Sequence, residues 1–116
     1  IETITSLEEL SLLRSLVDNV KMEISVSQYL LKIVTATRDN PQLRLGVSTR
    51  GTLLYSRICR ALALLEGRDY VIPEDVKKLA VPVLSHRIIL DTQASYNGTA
   101  ASNIIKEILS LERVPR

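Results

Sequence analysis

Residues 44–67, RLGVSTRGTLLYSRICRALALLEG, begin as a glycine-containing turn and continue as an unbroken helical pattern. Gly46 and Gly51 have four residues between them, the spacing of a phosphate-binding P-loop. That loop needs a lysine next and then a hydroxyl for Mg²⁺, and here Thr52 and Leu53 stand in those places. No glycine in the chain is followed by lysine, so no other stretch can be a P-loop. Two readings remain. In the first, Ser48 is an ordinary N-cap and Gly46 permits the bend into it. In the second, Arg50 in the first helical turn combines its fork of donors with the positive end of the helix dipole and contacts a phosphate. Gly51 is unexpected in either case, because glycine inside a helix costs about 1 kcal/mol relative to alanine. Close approach of another group would account for it.

The pattern from Thr49 to Glu66 predicts the clearest helix, with Leu54, Ile58, Ala61, Leu62 and Leu65 as its central apolar stripe and Cys59 on the flank. Gly67 suits a left-handed cap beyond it. Upstream, Leu10, Leu13, Leu16, Val17 and Val20 recur at helical spacing after Ser6. A second helix, capped at Ser25 or Ser27, carries Leu30, Ile33, Val34 and Thr37 and ends at Asn40-Pro41. Downstream, Pro73 suits the first position of a fourth helix with Glu74 and Asp75 in its first turn, and Pro82 is expected to stop or kink it. A short extended segment is expected near 86–90, a polar loop over DTQASYNGT, and a last helix from Ala100 to Leu111 with Ile104, Ile105, Ile108 and Leu109 inward.

Composition agrees with a helical bundle. The 116 residues suit one domain spanning 1–116, and they are 46% hydrophobic but only 3% aromatic, so Leu, Ile, Val and Ala must build the core. Four glycines and four prolines are too few for a many-stranded β fold. The expectation is an all-α bundle of about five helices. A lone cysteine excludes an internal disulfide and a cysteine metal site, and with no apolar run near the ~20 residues of a membrane span the chain reads as cytoplasmic. The chain does not begin with Met, and its opening residues read like the middle of a longer protein.

A net charge of +2 implies no nucleic acid by itself, but Arg44, Arg50, Arg57 and Arg60 form a cluster with no acidic residue between Arg44 and Leu65. Arg50 and Arg57, seven residues apart, lie about 20° apart around the helix. Such arginines read most simply as solvated or salt-bridged. The alternative reading is a free-standing module that binds nucleic acid through the four. His86 reads as a packed, hydrogen-bonded histidine, since no nucleophile or matching carboxylate accompanies it. Asp69, Glu74 and Asp75 read as structural rather than metal-binding, and Arg68, just past the far end of the same helix and about 25 Å from Arg50, is expected to be nearly silent in any assay of Arg50 when replaced by alanine.

The stretch LRLGVSTRGTLLYSRICRALALLEGRDYVIPEDVKKLAVPVLSHRIIL closely resembles the helical lid of the MoxR family of AAA+ ATPases. A Gly-x-Ser-x-Arg turn, an Arg-x-x-Arg-Ala helix, GRDYV-x-PEDV and L-x-HR occur in that family in this order. The resemblance extends to IVTATRDNP and to the end KEILSLERVPR, and so covers nearly the whole chain. It implies an AAA+ lid-type bundle that follows a P-loop domain of the same chain, which holds ATP and Mg²⁺. It further implies neighbouring subunits in a ring, usually hexameric, and remodelling or maturation of partners that often carry a von Willebrand factor A domain. By the same resemblance Arg50 matches the sensor 2 arginine, which reaches the outer phosphate of ATP. Gly46 and Ser48 match the turn that presents it, and Arg57 and Arg60 match the helix that follows. The fragment alone is then expected to bind no nucleotide tightly and to hydrolyse none. Thr49 and Gly51 depart from the Pro and Ala usual in the family, and Ile72 from a capping Thr.

Overall fold

The computed structural model describes residues 7–115. Its longest helix, α3 (Thr49–Leu65), starts and stops where local chemistry requires. Ser48 is extended and its Oγ accepts the Gly51 N–H at 3.1 Å. At the other end Gly67 takes φ +78°, so that Gly67 N–H reaches the Leu64 carbonyl and Arg68 N–H the Ala63 carbonyl. This is the paired closure of a Schellman motif, and glycine adopts it without steric cost.

The face that α3 buries is turned from the expected one. Gly51, Tyr55, Cys59 and Ala63 point into the core, while Leu54, Ile58, Ala61 and Leu62 are half-buried and Leu65 is 85% exposed. Tyr55, Cys59 and Ala63 are each one residue beyond a predicted position, a rotation of about 100°. Counting leucines missed two facts. Small residues allow neighbouring backbones to approach, and Tyr55 can bury its ring because its hydroxyl donates to the Val76 carbonyl of the facing helix. Cys59 is therefore central to the core rather than at its flank, and burial pushes its thiol up to about 12.

Packed against α3 are α2 (Ile24–Arg38) and α4 (Pro73–Leu84). The buried residues of α2 are Val26, Tyr29, Leu30, Ile33, Val34 and Thr37, the predicted face extended toward its start. Its N-cap is Glu23, without a side-chain bond, so neither Ser25 nor Ser27 caps it. In α4, Pro73 is at the first position and the Asp75 carboxylate accepts the Ile72 N–H at 3.0 Å, the return bond of a capping box, while Ile72 itself offers no side-chain acceptor. Pro82 does not stop the helix. It is exposed, as is Lys78, whose carbonyl loses its helical partner on the watery side while Ala80 and Leu84 keep the other side buried.

After α4, residues Ser85–Arg87 form a 3₁₀ turn, so the extended segment is shorter than predicted. It is β2 (Ile89–Leu90), antiparallel to β1 (Leu43–Leu45) with Leu43 opposite Leu90 and Leu45 opposite Ile89. The expected polar loop contains a short helix, α5 (Thr92–Tyr96), capped by Asp91 and seated on buried Ala94. α6 (Ala101–Leu111) then buries Ile104, Ile105 and Ile108, with Leu109 half-buried. Among the described residues there are thus six α-helices and one two-stranded sheet.

The first helix, α1 (Leu7–Asp18), buries none of its residues, and the Ser6 cap falls outside the described ones. Leu10, Leu13 and Leu16 are each at least 40% exposed, and of the five apolar positions only Val20, beyond the helix, is buried. Among the described residues no helix is long and apolar enough to cross a membrane. Past α1, Lys21 donates to the Asp69 carbonyl and accepts from Val71, each at 2.8 Å, which ties the α1–α2 link to the loop between α3 and α4.

That loop contains the strongest charge interaction described. Arg68 grips both oxygens of Asp75 at 2.8 Å, and its guanidinium also donates to the Tyr70 carbonyl and to Glu66. Asp75 is 2% exposed. Burial would raise its carboxyl, but Arg68 and the Ile72 N–H outweigh this and hold it below the ordinary range. Arg68→Ala is therefore a poor control for Arg50, because it leaves a buried carboxylate unpaired. Arg68→Ala should lower the free energy of unfolding by about 3 kcal/mol, read from urea melts. Because the folded carboxyl is more acidic than the unfolded one, its contribution is complete above about pH 4 and lost as pH falls below it. The urea midpoint should drop on acidification through that window, and Asp75→Asn should lack this component.

Candidate functional site

The turn from β1 into α3 is held to the end of α2 by backbone contact. A β-carbon at Gly46 would lie 2.6 Å from the Arg38 nitrogen and 2.7 Å from the Thr37 carbonyl carbon, so only glycine fits. Thr37 donates its hydroxyl to the Val34 carbonyl at 2.6 Å and accepts the Val47 N–H at 3.0 Å. Arg38 Nε donates to the Val47 carbonyl at 2.8 Å. Val47 and Thr37 are fully buried, and Ser48 follows as the cap of α3. Thr52 fastens the turn from the other side by donating its hydroxyl to the Ser48 carbonyl at 2.9 Å. The turn is a clamp with both ends anchored.

Arg50 projects from this clamp. It is exposed, and among the described residues its guanidinium has no hydrogen bond or ion pair. No acidic residue lies in the first turn of α3 to oppose it. The structure brings Gly46, Ser48 and Arg50 together, but Arg57 is about 10 Å further along the axis. Arg57 donates to both oxygens of Asp18 at 3.0 and 3.2 Å, in a pair whose side chains are more than half exposed. Such a pair contributes at most about 1 kcal/mol. Arg60 is turned inward, donating to the Val20 carbonyl at 3.1 Å and to Ser56 at 2.8 Å. Two of the four arginines of the nucleic-acid alternative therefore hold α1 and its link against α3, and only Arg44 and Arg50 are left exposed without a partner.

His86 is exposed in the 3₁₀ turn rather than packed. With Arg87 it lines a groove of about 370 Å³ whose other walls are Leu54, Ile58, Pro82 and Val83. Leu54 and Ile58, predicted for the core, thus face this groove. Sequence reading missed Arg38 and the hydrogen-bonding part of Thr37. A threonine inside an apolar stripe, beside an arginine at a helix end, was the available signal.

A family model described as the AAA lid domain matches residues 35–108, from the end of α2 through most of α6. The chain belongs to the AAA lid domain family. Over 115 residues this AAA lid is 39% identical to the uncharacterized protein YeaC of Bacillus subtilis, which covers 99% of the chain and 36% of that relative. It is 31% identical over 122 residues to the chaperone MoxR1 of Mycobacterium tuberculosis, covering 97% of the chain and 32% of the relative. A crystal structure of a candidate ATPase from Cytophaga hutchinsonii superposes with a TM-score of 0.86 at 30% identity, over 94% of the AAA lid and 36% of that chain. The MoxR resemblance read from the motifs is borne out. The AAA lid spans about a third of the length of these relatives.

The clamp and the arginine it presents should separate experimentally. Thr37→Val leaves the buried Val47 N–H without an acceptor and should cost about 1–3 kcal/mol of stability. Gly46→Ala forces the turn off α2 and should cost at least as much. Arg50→Ala should stay within about 0.5 kcal/mol of the parent in the same urea melts.

Proposed function

We propose that this AAA lid senses nucleotide in a MoxR-type AAA+ ATPase, with Arg50 as the residue that reads the outer phosphate of ATP. The observation that carries the reading is an exposed arginine without a partner on a turn that is otherwise fully anchored. Ordering a long side chain at the moment of binding costs entropy, and a rigid base reduces the part of that cost due to the backbone. The guanidinium offers a planar fork to phosphate oxygens, and the start of α3 adds the positive end of its dipole.

In this reading the P-loop domain of the same chain holds ATP and Mg²⁺, and supplies the lysine that the lid lacks. Gly46 and Ser48 set the height and direction of Arg50. Arg57 is the secondary member of the site, since Asp18 competes for it. The lid by itself hydrolyses nothing. In the full protein it couples the state of the nucleotide to the arrangement of neighbouring subunits, in a ring that is hexameric and cytoplasmic. The ring remodels or matures partner proteins, including those with von Willebrand factor A domains.

Removing Arg50 takes away charge stabilisation at the transferred phosphate while leaving the grip of the P-loop intact. In the full-length protein, Arg50→Ala should lower ATP turnover by roughly 10- to 1000-fold, with a smaller change in ATP affinity. Arg50→Lys should recover part of the loss, because the charge returns without the two-pronged geometry. Lys106→Ala, on the exposed side of α6, serves as the control and should leave turnover unchanged. Equal turnover in Arg50→Ala and Lys106→Ala would rule out a phosphate sensor at this turn.

A further inference from the structure

The sequence leaves Gly51 unexplained, and the structure explains it by a neighbour. Its φ is not positive, so the backbone itself does not call for glycine. A β-carbon there would lie 3.0 Å from Val47 Cγ1 and 3.3 Å from Arg87 Cδ, both tighter than ordinary contact. The stem of Arg87 therefore crosses the first turn of α3 in the space that a side chain at position 51 would fill. We propose that Arg87 is a second phosphate-facing cation of this lid, delivered beside Arg50 through the slot left by Gly51. The proposal rests on the reading of Arg50 given above.

Three further observations support it. Arg87 ends the 3₁₀ turn between buried Leu84 and buried Ile88, so its main chain is fixed at both sides. The strand that follows it, β2, pairs with β1, the strand that leads into the Arg50 turn, so one small sheet positions both residues. Finally, the arginines at positions 38, 57, 60 and 68 all have partners within the fold, whereas Arg50 and Arg87, like Arg44 in β1, have none among the described residues. The start of α3 has no acidic residue in its first turn, so neither guanidinium has a counter-ion there, and an anion would supply one.

The chemistry that fits is the terminal phosphate of a nucleoside triphosphate, more highly charged than a diphosphate and able to accept from two forks. The groove walls Leu54, Ile58, Pro82 and Val83 flank Arg87 and carry no acidic group to compete for it. Arg87 should therefore discriminate triphosphate from diphosphate as well as assist turnover.

The test uses the full-length protein with Arg87→Met, which keeps an aliphatic stem in the slot and removes the charge, and with Arg87→Lys, Gly51→Ala and Arg50→Ala. Turnover is measured together with the affinities for ADP and for the imido analogue of ATP. Arg87→Met should lower turnover about 10-fold and reduce the preference for the triphosphate analogue over ADP several-fold, through loss of analogue affinity. Arg87→Lys should restore part of both. Gly51→Ala, by displacing the stem, should shift both readouts in the same direction and add little when combined with Arg87→Met. If Arg87→Met matches the parent in both readouts while Arg50→Ala lowers turnover, Arg87 only fills the slot, and this inference fails with the Arg50 reading intact. If Arg50→Ala is silent too, both fail. Equal weakening of ADP and analogue by Arg87→Met, without recovery in Arg87→Lys, would assign Arg87 to packing and overturn the proposal.

Discussion

A β-carbon at position 46 would collide with the backbone of Thr37 and Arg38, and the course of the chain from α2 into α3 depends on the absence of that one atom. Because Gly46 touches the end of α2, Val47 can bury its side chain and give its N–H to the Thr37 hydroxyl. Its carbonyl then receives Arg38, and Ser48 is left extended at the right place to cap α3. α2 is itself immobilised by six buried side chains, so the position of the turn is inherited from the core. A site on a loop is thereby as well placed as one on a helix.

Charge in this lid divides into two populations with different physical roles. Arg68 and Asp75 form a buried bidentate pair that closes the loop between α3 and α4, and Arg60 holds the Val20 carbonyl from a half-buried position. These groups are desolvated and must stay paired. Arg50 and Arg87, by contrast, are exposed and without a partner among the described residues, and the Arg87 stem passes Gly51, the residue next to Arg50. The same residue type is a fastener where a partner is buried beside it and a free cation where none is.

Much of this architecture was legible because it depends on local chemistry. Ser48, Gly67 and Pro73 mark helix ends by mechanisms that act within a few residues, and each acts as read. The Gly46 turn was also visible, since few other reasons place glycine before such a cap. What failed depends on distant partners. The rotation of α3 follows from the bond between the Tyr55 hydroxyl and Val76, twenty-one residues away, which no local periodicity records. The Arg68 pair was not legible because its partner, Asp75, reads from the sequence as a helix-capping residue, and one carboxylate performs both tasks. The short α5 was hidden in a polar stretch because only Ala94 anchors it.

The single thiol at the centre of the core makes the lid its own recorder of opening. Cys59 has no accessible surface, and its proton is held tightly by burial, so an alkylating reagent can reach a reactive thiolate only when α3 parts from its neighbours. The labelling rate then counts excursions out of the closed state rather than the chemistry of an exposed sulfur. Since the neighbouring helices meet α3 along the Gly51, Tyr55, Cys59 and Ala63 line, that clock reports on the whole bundle from one atom.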